Sequence, residues 1–290
     1  MDDSGFAKLA EARVAIVGLG LMGGSLALAL ASRCREIIGV ETVPAPRAAA
    51  LERGLIHRAA DFDSALAAAD LVVLATPVRT ILTQLSSLSQ LSFDVSRLTL
   101  LDLGSTKLQI TRAMEQLPAA FDPLGGHPMC GKEISGLGNA DADLYRGKTF
   151  VLCPLERTTP HALALAHELV SAIGARPLHL DAEAHDRYAA AISHLPYTVS
   201  VALMRAVMTN DSEGVWQLAA SGFRDTSRLA ASDLTMMTDT LLTNRSAILN
   251  ALAQFKSELD SLTAAIDSGD PDVIRSALES AQRKRSDMFK

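Results

Sequence analysis

The chain has 290 residues, of which 48% are hydrophobic, and a formal net charge of −6. Its length exceeds one comfortable core, so two domains are expected. The acidic balance gives no basic field for a nucleic-acid backbone, and three cysteines without CxxC spacing exclude a disulfide framework and a standard zinc site. We therefore expect no metal site, no nucleic-acid partner, and reduced thiols as in the cytoplasm.

A short apolar segment, Arg13–Val17, predicts a buried strand that runs into a glycine-rich turn and an apolar helix start. Gly18 suits a tight turn, Gly20 lets the backbone approach a pyrophosphate, and Gly23 lets the helix pack closely on the strand. Phosphates would then bind at the helix N-terminus. This order predicts a dinucleotide-binding loop formed by Gly18, Gly20, Leu21, Met22 and Gly23.

The same stretch has a second interpretation, because residues 14–32 form a charge-free run of 19 residues. Such a run is long enough to cross a membrane. Its four glycines, however, fall where a strand-to-helix turn needs them, and residues 1–4 lack the basic start of a secretory signal. We expect no membrane partner and a cytoplasmic location.

A second predicted strand, Glu36–Val40, ends at Glu41. This is near the offset of about 20 residues at which an acidic side chain accepts hydrogen bonds from the adenosine ribose. A carboxylate at this place repels a 2′-phosphate, so Glu41 favours NAD over NADP. The alternative is an ordinary solvated strand end.

Strand and helix patterns continue to alternate through the first half of the chain. Strands are predicted at 71–75, 98–102 and 149–152, with helical patterns at 63–69 and 106–117. This alternation predicts a doubly wound parallel sheet of Rossmann type, with ligands beyond the carboxyl ends of the strands. Thr76, Ser105 and His127 are expected just after strands, so they should converge on one crevice.

The pattern changes near Leu180. Beyond it strand signals vanish, and residues 181–210 and 225–290 have helical patterns rich in Ala and Leu. We therefore expect a dinucleotide-binding domain at 1–180, followed by an all-helical domain at 181–290.

Six segments occur in an order that is typical of one enzyme family. They are GLGLMGGSLA from Gly18, DLGSTK at 102–107, GHPMCGKE at 126–133, His185-Asp186, SHLP at 193–196, and GFRDTSRLA at 222–230. With these segments the chain resembles the prephenate and arogenate dehydrogenases of tyrosine biosynthesis across nearly its whole length. The resemblance implies oxidative decarboxylation of a cyclohexadienol with NAD or NADP, and a homodimer formed through the helical domain. From the length, we expect no appended mutase or regulatory domain.

His127 is the candidate base of this chemistry. A neutral imidazole, with a reference pKa of about 6.5, suits removal of a hydroxyl proton as hydride leaves. A structural histidine in a turn is the alternative. The resemblance assigns Ser105 to the substrate hydroxyl and the nicotinamide, although it could also serve as a turn or N-cap residue. Glu133 matches an acidic residue at the family's active-site entrance.

Arginine suits the substrate carboxylates, because its planar fork forms bidentate hydrogen bonds. Arg228 matches the family's substrate-binding arginine. Arg224 lies one helical turn away, and its alternative partners are Asp225 and Glu213.

Two histidines of the helical half were also considered. His185 and His194 are nine residues apart, which places them on roughly opposite faces if one α-helix is continuous. Family analogy directs His194 to the crevice, while His185 could line the crevice or cap the domain junction.

The chain departs from the family pattern at two positions. Tyr197 stands where many members have a second histidine, which leaves the choice between prephenate and arogenate open. Cys130 stands where a small residue is common, and a buried filler is favoured over a nucleophile. A 3-hydroxyacid or imine-type dehydrogenase and a non-catalytic NAD-binding protein are the remaining alternatives. The former should carry a catalytic Lys or Asp where this chain has His185, Asp186 and His194.

Overall fold

A computed structural model describes residues 8–90, 97–132, 134–209 and 213–288. Within these ranges, eight strands form a single sheet in the order β3-β2-β1-β4-β5-β6-β7-β8. The strands are β1 (Arg13–Val17), β2 (Glu36–Val40), β3 (Arg58–Ala59), β4 (Leu71–Leu74), β5 (Leu98–Asp102), β6 (Phe121–Pro128), β7 (Thr149–Pro154) and β8 (Arg176–His179).

Helices connect the strands and continue after the last one. They are α1 (Leu21–Leu30), α2 (Pro44–Glu52), α3 (Phe62–Ala68), α4 (Val78–Leu88), α5 (Leu108–Glu115), α6 (Pro160–Ala172), α7 (Ala182–Ala189), α8 (Leu195–Met208), α9 (Glu213–Gln217), α10 (Ser221–Ser227), α11 (Leu234–Thr243), α12 (Arg245–Asp267) and α13 (Pro271–Met288). Short 3-10 helices lie at Leu9–Glu11, Leu137–Asn139 and Arg228–Ala231, and a π-helical turn at Ala190–His194.

The sheet is parallel from β3 to β6, and this part has the strand order of a Rossmann fold. Strand β7 then runs antiparallel to β6, and β8 is parallel to β7. The predicted doubly wound Rossmann architecture is confirmed, and the last two strands extend it in the opposite direction. The carboxyl ends of β1, β4, β5 and β6 therefore meet at one edge of the sheet.

The sheet has a hydrophobic core on each face. Along β1, Val14 and Ile16 belong to one core, while Ala15 and Val17 belong to the other. This alternation is what a strand buried on both faces requires. Burial on both faces holds the strands in place. The residues that follow the strands lie at the sheet edge, where they can form a site.

Two carboxylates attach the helical segment after β8 to the Rossmann helices. Asp186, on α7, accepts hydrogen bonds from the backbone N–H groups of Lys107 and Leu108 at 2.7 and 2.9 Å, at the start of α5. Asp239, on α11, accepts one from Arg79 N at 3.0 Å, at the start of α4. Negative side chains are favoured at helix N-termini.

The chain divides into two compact units, 1–244 and 245–290. The last strand ends at His179, while the first unit continues to Asn244, so the expected domain boundary near Leu180 stays a prediction. In the second unit, α12 and α13 pack against each other. Among the described residues, no helix combines the length and the hydrophobicity that a membrane span requires.

Candidate active site

The glycine loop after β1 has the geometry of a phosphate-binding turn. Gly18 has a φ of +95°, and a Cβ there would lie 2.8 Å from the Thr76 Cγ2 atom. A Cβ at Gly23 would overlap the Gly18 carbonyl oxygen, so α1 can approach the loop only with glycine at this position. A Cβ at Gly20, by contrast, would meet nothing within 4 Å. The open space beside Gly20, the residue before α1, fits a pyrophosphate on the helix N-terminus.

Glu41 lies directly beside this loop. Its Oε2 atom accepts a hydrogen bond from Leu19 N at 3.1 Å, and its Oε1 atom accepts one from Val43 N at 2.9 Å. The carboxylate is therefore held at the carboxyl end of β2, where a dinucleotide's ribose would lie.

Other residues of the predicted cofactor set support the loop. Leu21 is the first residue of α1 and is buried. The Met22 carbonyl accepts a hydrogen bond from the Tyr145 hydroxyl at 2.7 Å. The Thr76 hydroxyl, after β4, donates to Gln84 Oε1 at 3.1 Å. Tyr145 thus binds the first turn of α1, Thr76 is bonded to α4, and the Gly20 side of the loop is open.

A buried ion pair joins the ends of β5 and β6. Neither Lys107 nor Asp102 has any exposed side-chain surface. Lys107 Nζ donates to Asp102 Oδ2 and, at 2.6 Å, to the Gly126 carbonyl. Asp102 also accepts from the backbone N–H groups of Gly104 and Gly126, at 2.8 and 3.0 Å. Burial raises the pKa of Asp102, while the Lys107 charge and these N–H donors favour its ionised form.

Glycine is needed where β6 approaches β5. A Cβ at Gly126 would lie 2.5 Å from the Asp102 carbonyl oxygen. This close approach brings His127, the next residue, to the edge of the sheet where Gly18, Thr76 and Ser105 follow their strands. His127 was expected after a strand, but β6 continues through it to Pro128.

His127 begins a chain of hydrogen bonds that ends at a carboxylate. Its Nδ1 atom lies 2.8 Å from His185 Nε2, and His185 Nδ1 lies 2.8 Å from Asp186 Oδ1. The two imidazoles meet edge to face, with ring centroids 5.0 Å apart. His185 was expected either to line the crevice or to cap the domain junction, and it lies against His127.

The electrostatic surroundings keep His127 neutral. Burial is the largest influence and lowers the pKa of His127 well below its ordinary value of 6.5. The charges of His185, Lys107 and His194 act in the same direction. A neutral imidazole at neutral pH can accept a proton, as a general base must.

His194 belongs to the same cluster. Asn244 Nδ2 donates to the Asp186 carbonyl at 2.7 Å and to His194 Nδ1 at 3.2 Å. Burial lowers the pKa of His194 to about 4. The expectation of opposite faces assumed a continuous α-helix, but the π-helical turn at Ala190–His194 has more residues per turn and rotates His194 toward the side of His185.

Ser105 lies in the bend between β5 and α5 and is half-buried. Helix α5 begins at Leu108, not near Thr106, and Asp186 binds its first N–H groups. The N-cap alternative for Ser105 is therefore wrong, and the turn position remains. Tyr197 is buried on α8, three residues after His194.

The candidate carboxylate-binding arginines lie near α8. Arg228 is exposed and begins the 3-10 helix Arg228–Ala231, in which Ala230 N donates to Ser200 Oγ of α8 at 3.0 Å. Arg224 is exposed and pairs with Asp225 at 3.5 Å, one of its two expected alternatives. Glu133 lies outside the described residues.

Cys130 packs against the hydrophobic core and is half-buried. Burial raises the pKa of its thiol to about 11, so the thiolate needed for nucleophilic attack is disfavoured. This supports the filler interpretation. Across the described ranges, no three His, Cys, Asp or Glu side chains lie together as a metal site would need.

The fold and the glycine loop define the chain as a nucleotide-binding oxidoreductase. A family model described as prephenate dehydrogenase, nucleotide-binding domain, matches residues 26–178, and one described as prephenate dehydrogenase, dimerization domain, matches residues 181–280. The chain belongs to the prephenate dehydrogenase family.

Similar proteins agree with this assignment. A prephenate dehydrogenase of Bacillus subtilis is 33% identical over 90% of this chain and 72% of its own length. The structure of an Aquifex aeolicus prephenate dehydrogenase with hydroxyphenyl propionate and NAD+ matches with a TM-score of 0.87 and 29% identity, over 97% of this chain and all of that one. An arogenate dehydrogenase of Synechocystis matches with a TM-score of 0.80 and 31% identity, over 96% of this chain and all of that one.

Proposed function

We propose that this protein catalyses the NAD-dependent oxidative decarboxylation of prephenate to 4-hydroxyphenylpyruvate. One observation carries the proposal: a neutral His127, hydrogen-bonded through Nδ1 to His185, lies at the same sheet edge as an open dinucleotide loop. Relatives named prephenate dehydrogenase support the choice of substrate.

The reaction needs few groups, because aromatisation supplies the driving force. NAD, when bound, accepts the hydride that leaves the ring carbon bearing the hydroxyl. His127 takes the hydroxyl proton at Nε2, and Ser105 hydrogen-bonds the same hydroxyl. The bond to the ring carboxylate then breaks, its electron pair enters the ring, and carbon dioxide leaves. The phenolate oxygen takes the proton back from His127, so protons and electrons balance.

Binding of the substrate requires cations, because prephenate carries two carboxylates. Arg228 is the proposed carboxylate ligand, and Arg224 is the second arginine near it. His194 and Tyr197, both buried on the helical side of the cluster, are proposed to line the substrate site. Glu133 is proposed for its entrance by resemblance alone.

Binding of the cofactor is assigned to the loop formed by Gly18, Gly20, Leu21, Met22 and Gly23, with Glu41 on the ribose hydroxyls and Thr76 beside Gly18. The fit rests on the open space at Gly20 and on the carboxylate held at the end of β2. That carboxylate favours NAD over NADP, because it would repel a 2′-phosphate.

Arogenate is the second candidate substrate, because an arogenate dehydrogenase is 31% identical to this chain. The two substrates differ in the side chain, where one has a keto acid and the other an amino acid. Tyr197 is neutral and can donate a hydrogen bond, so it accommodates either.

We propose a cytoplasmic homodimer formed through the dimerization domain. Exposed apolar side chains on α12 and α13 supply surface for such an interface; they include Leu249, Leu259, Ile266 and Leu278. The mass that sedimentation gives for the purified protein should be twice the 30.7 kDa of one chain.

The proposed function is tested with purified protein, NAD or NADP, and prephenate or arogenate, by following reduced cofactor. We expect the highest kcat/KM with prephenate and NAD. Turnover of arogenate alone would favour the second candidate, and no turnover of either substrate would reject both.

A further inference from the structure

We infer that His185 and Asp186 are positioning residues that fix the tautomer of His127 and stabilise its protonated form. The inference rests on the proposed function, in which His127 is the base.

The donor and the acceptor of each hydrogen bond can be assigned by starting from Asp186. Its Oδ1 atom accepts from Lys107 N at 2.7 Å, and its Oδ2 atom accepts from Leu108 N at 2.9 Å. A side chain that accepts two backbone N–H groups at a helix N-terminus is held as a carboxylate. Ionised Asp186 is an acceptor only, so its contact with His185 Nδ1 requires a proton on that nitrogen.

The tautomers of both imidazoles follow from this. Neutral His185 carries its proton on Nδ1, so its Nε2 atom can only accept. The 2.8 Å contact with His127 Nδ1 therefore requires that His127 donate from Nδ1. Neutral His127 then has its lone pair on Nε2, the atom that takes the substrate proton.

The hydrogen bonds from His127 through His185 to Asp186, here called the relay, also offset part of the free-energy cost of protonating His127. Burial disfavours its imidazolium, and so do the charges of Lys107 and His194 and, when its own ring is protonated, of His185. The relay therefore requires His185 to stay neutral while His127 is charged. Asp102, the last residue of β5, is already paired with Lys107. Asp186 is the other carboxylate at this cluster, and it reaches His127 through His185. The proton on His127 Nδ1 can also move to His185 Nε2, which places the positive charge directly beside Asp186.

Asp186 accepts hydrogen bonds both from the N-terminus of α5 and from His185. The geometry of the relay therefore depends on how α7 is attached to α5. Asp239 offers a matched control. It is a buried carboxylate that binds the N-terminus of α4 through Arg79 N, and His185 is bonded to Asp186 rather than to it. Loss of Asp239 should weaken attachment of the helical segment without removing the relay.

The test uses full-length protein with histidine labelled with nitrogen-15, and reads the His127 tautomer by NMR together with steady-state kinetics. In the unmodified protein, we expect His127 protonated on Nδ1. His185→Leu removes the acceptor; the Nδ1 preference should be lost, and kcat should fall by about 10²-fold or more. The substrate KM and NAD affinity should change by less than about threefold.

Two further variants separate the relay from folding. His185→Gln keeps an acceptor for His127 Nδ1 but cannot carry a proton, so it should retain the tautomer and more turnover than His185→Leu. Asp239→Asn should retain both the tautomer and its kcat, even if its melting temperature falls. The measurement on the unmodified protein remains decisive if His185→Leu does not fold.

A proton on His127 Nε2 in the unmodified protein would overturn the inference, as would a His185→Leu enzyme that keeps more than about a third of its turnover. The outcome for His127→Asn distinguishes the two proposals. If that variant loses turnover while His185→Leu does not, only the relay is rejected. If His127→Asn is fully active, the proposed base is rejected with it.

Discussion

Lys107 and Asp102 form an ion pair with no exposed side-chain surface, and Lys107 also binds the carbonyl of the residue before His127. Removing one partner leaves the other charge buried and unpaired, which typically costs about 3–5 kcal/mol. Lys107→Met should therefore lower the free energy of unfolding by that amount in a denaturant titration.

A surface ion pair provides the control for Lys107. Arg58 and Glu36 pair at 2.7 Å, with side chains 40% and 25% exposed. Arg58→Met should cost less than about 1 kcal/mol, because exposed pairs contribute little. Equal losses in Lys107→Met and Arg58→Met would contradict a structural role for the buried pair.

The burial of His194 predicts a pH-dependent stability. Burial lowers its folded-state pKa to about 4, while the unfolded chain keeps its ordinary value of 6.5. Between these values the unfolded state binds more protons, so stability is full above pH 6.5 and falls as the pH drops toward 4. The expected loss is about 3 kcal/mol, from about 1.4 kcal/mol per pKa unit.

Denaturant titrations at several pH values, with His194→Asn beside the unmodified protein, check this prediction. Asparagine retains an acceptor for Asn244 but does not titrate. The variant should lose part of the slope between pH 6.5 and 4, and His127, whose pKa is also lowered, should supply the rest. An unchanged slope in His194→Asn would show that His194 is not held neutral by the fold.

Glu41 predicts the choice of cofactor. Its carboxylate is held by Leu19 N and Val43 N beside the glycine loop, where it would repel a 2′-phosphate. Glu41→Ser should narrow the ratio of kcat/KM for NAD over NADP. Glu52→Ser makes the same charge change on an exposed turn of α2 and should leave the ratio unchanged. An unmodified enzyme that prefers NADP would contradict the assignment.

Alanine variants of Arg228 and Arg224 test substrate binding apart from the chemical step. A bound substrate carboxylate would cover the Arg228 side chain, and truncating one partner of such a charged hydrogen bond costs about 2–5 kcal/mol. Arg228→Ala should therefore raise the substrate KM by about 30-fold to several thousand-fold, with NAD affinity nearly unchanged. Arg224→Ala should have a smaller effect on the substrate KM, because the Arg224 side chain already pairs with Asp225 at 3.5 Å. The reverse order of effects would show that Arg224 is the carboxylate ligand.

The strands were predictable where local sequence decides them. Strands β1, β2 and β5 begin and end at the predicted residues, because each is an apolar run bounded by turn residues. A strand was expected before His127, but the bounds of β6 were not predicted, since FDPLGGHP contains two prolines and two glycines. Pairing with β5 and β7 forms this strand, and Gly126 allows its close approach to Asp102.

The site was predictable in its types of residue but not in their contacts. His127 and Ser105 follow from motif position, whereas the bond between His127 and His185 depends on how α7 packs on α5. The π-helical turn that rotates His194 toward that cluster leaves no mark in the hydrophobic pattern. Asn244 was not recognised, because its partners are 50 and 58 residues away in the chain.

Proton acceptance by His127 is the central claim, and the turnover of His127→Asn tests it most directly. Asparagine cannot take a proton at the position of Nε2, so kcat with prephenate and NAD should fall by about 10²–10⁴-fold while NAD affinity stays unchanged. In the unmodified enzyme, activity should be lost only well below pH 6.5, because burial lowers the pKa of His127. A His127→Asn enzyme that keeps more than about a third of its turnover would remove His127 from the mechanism.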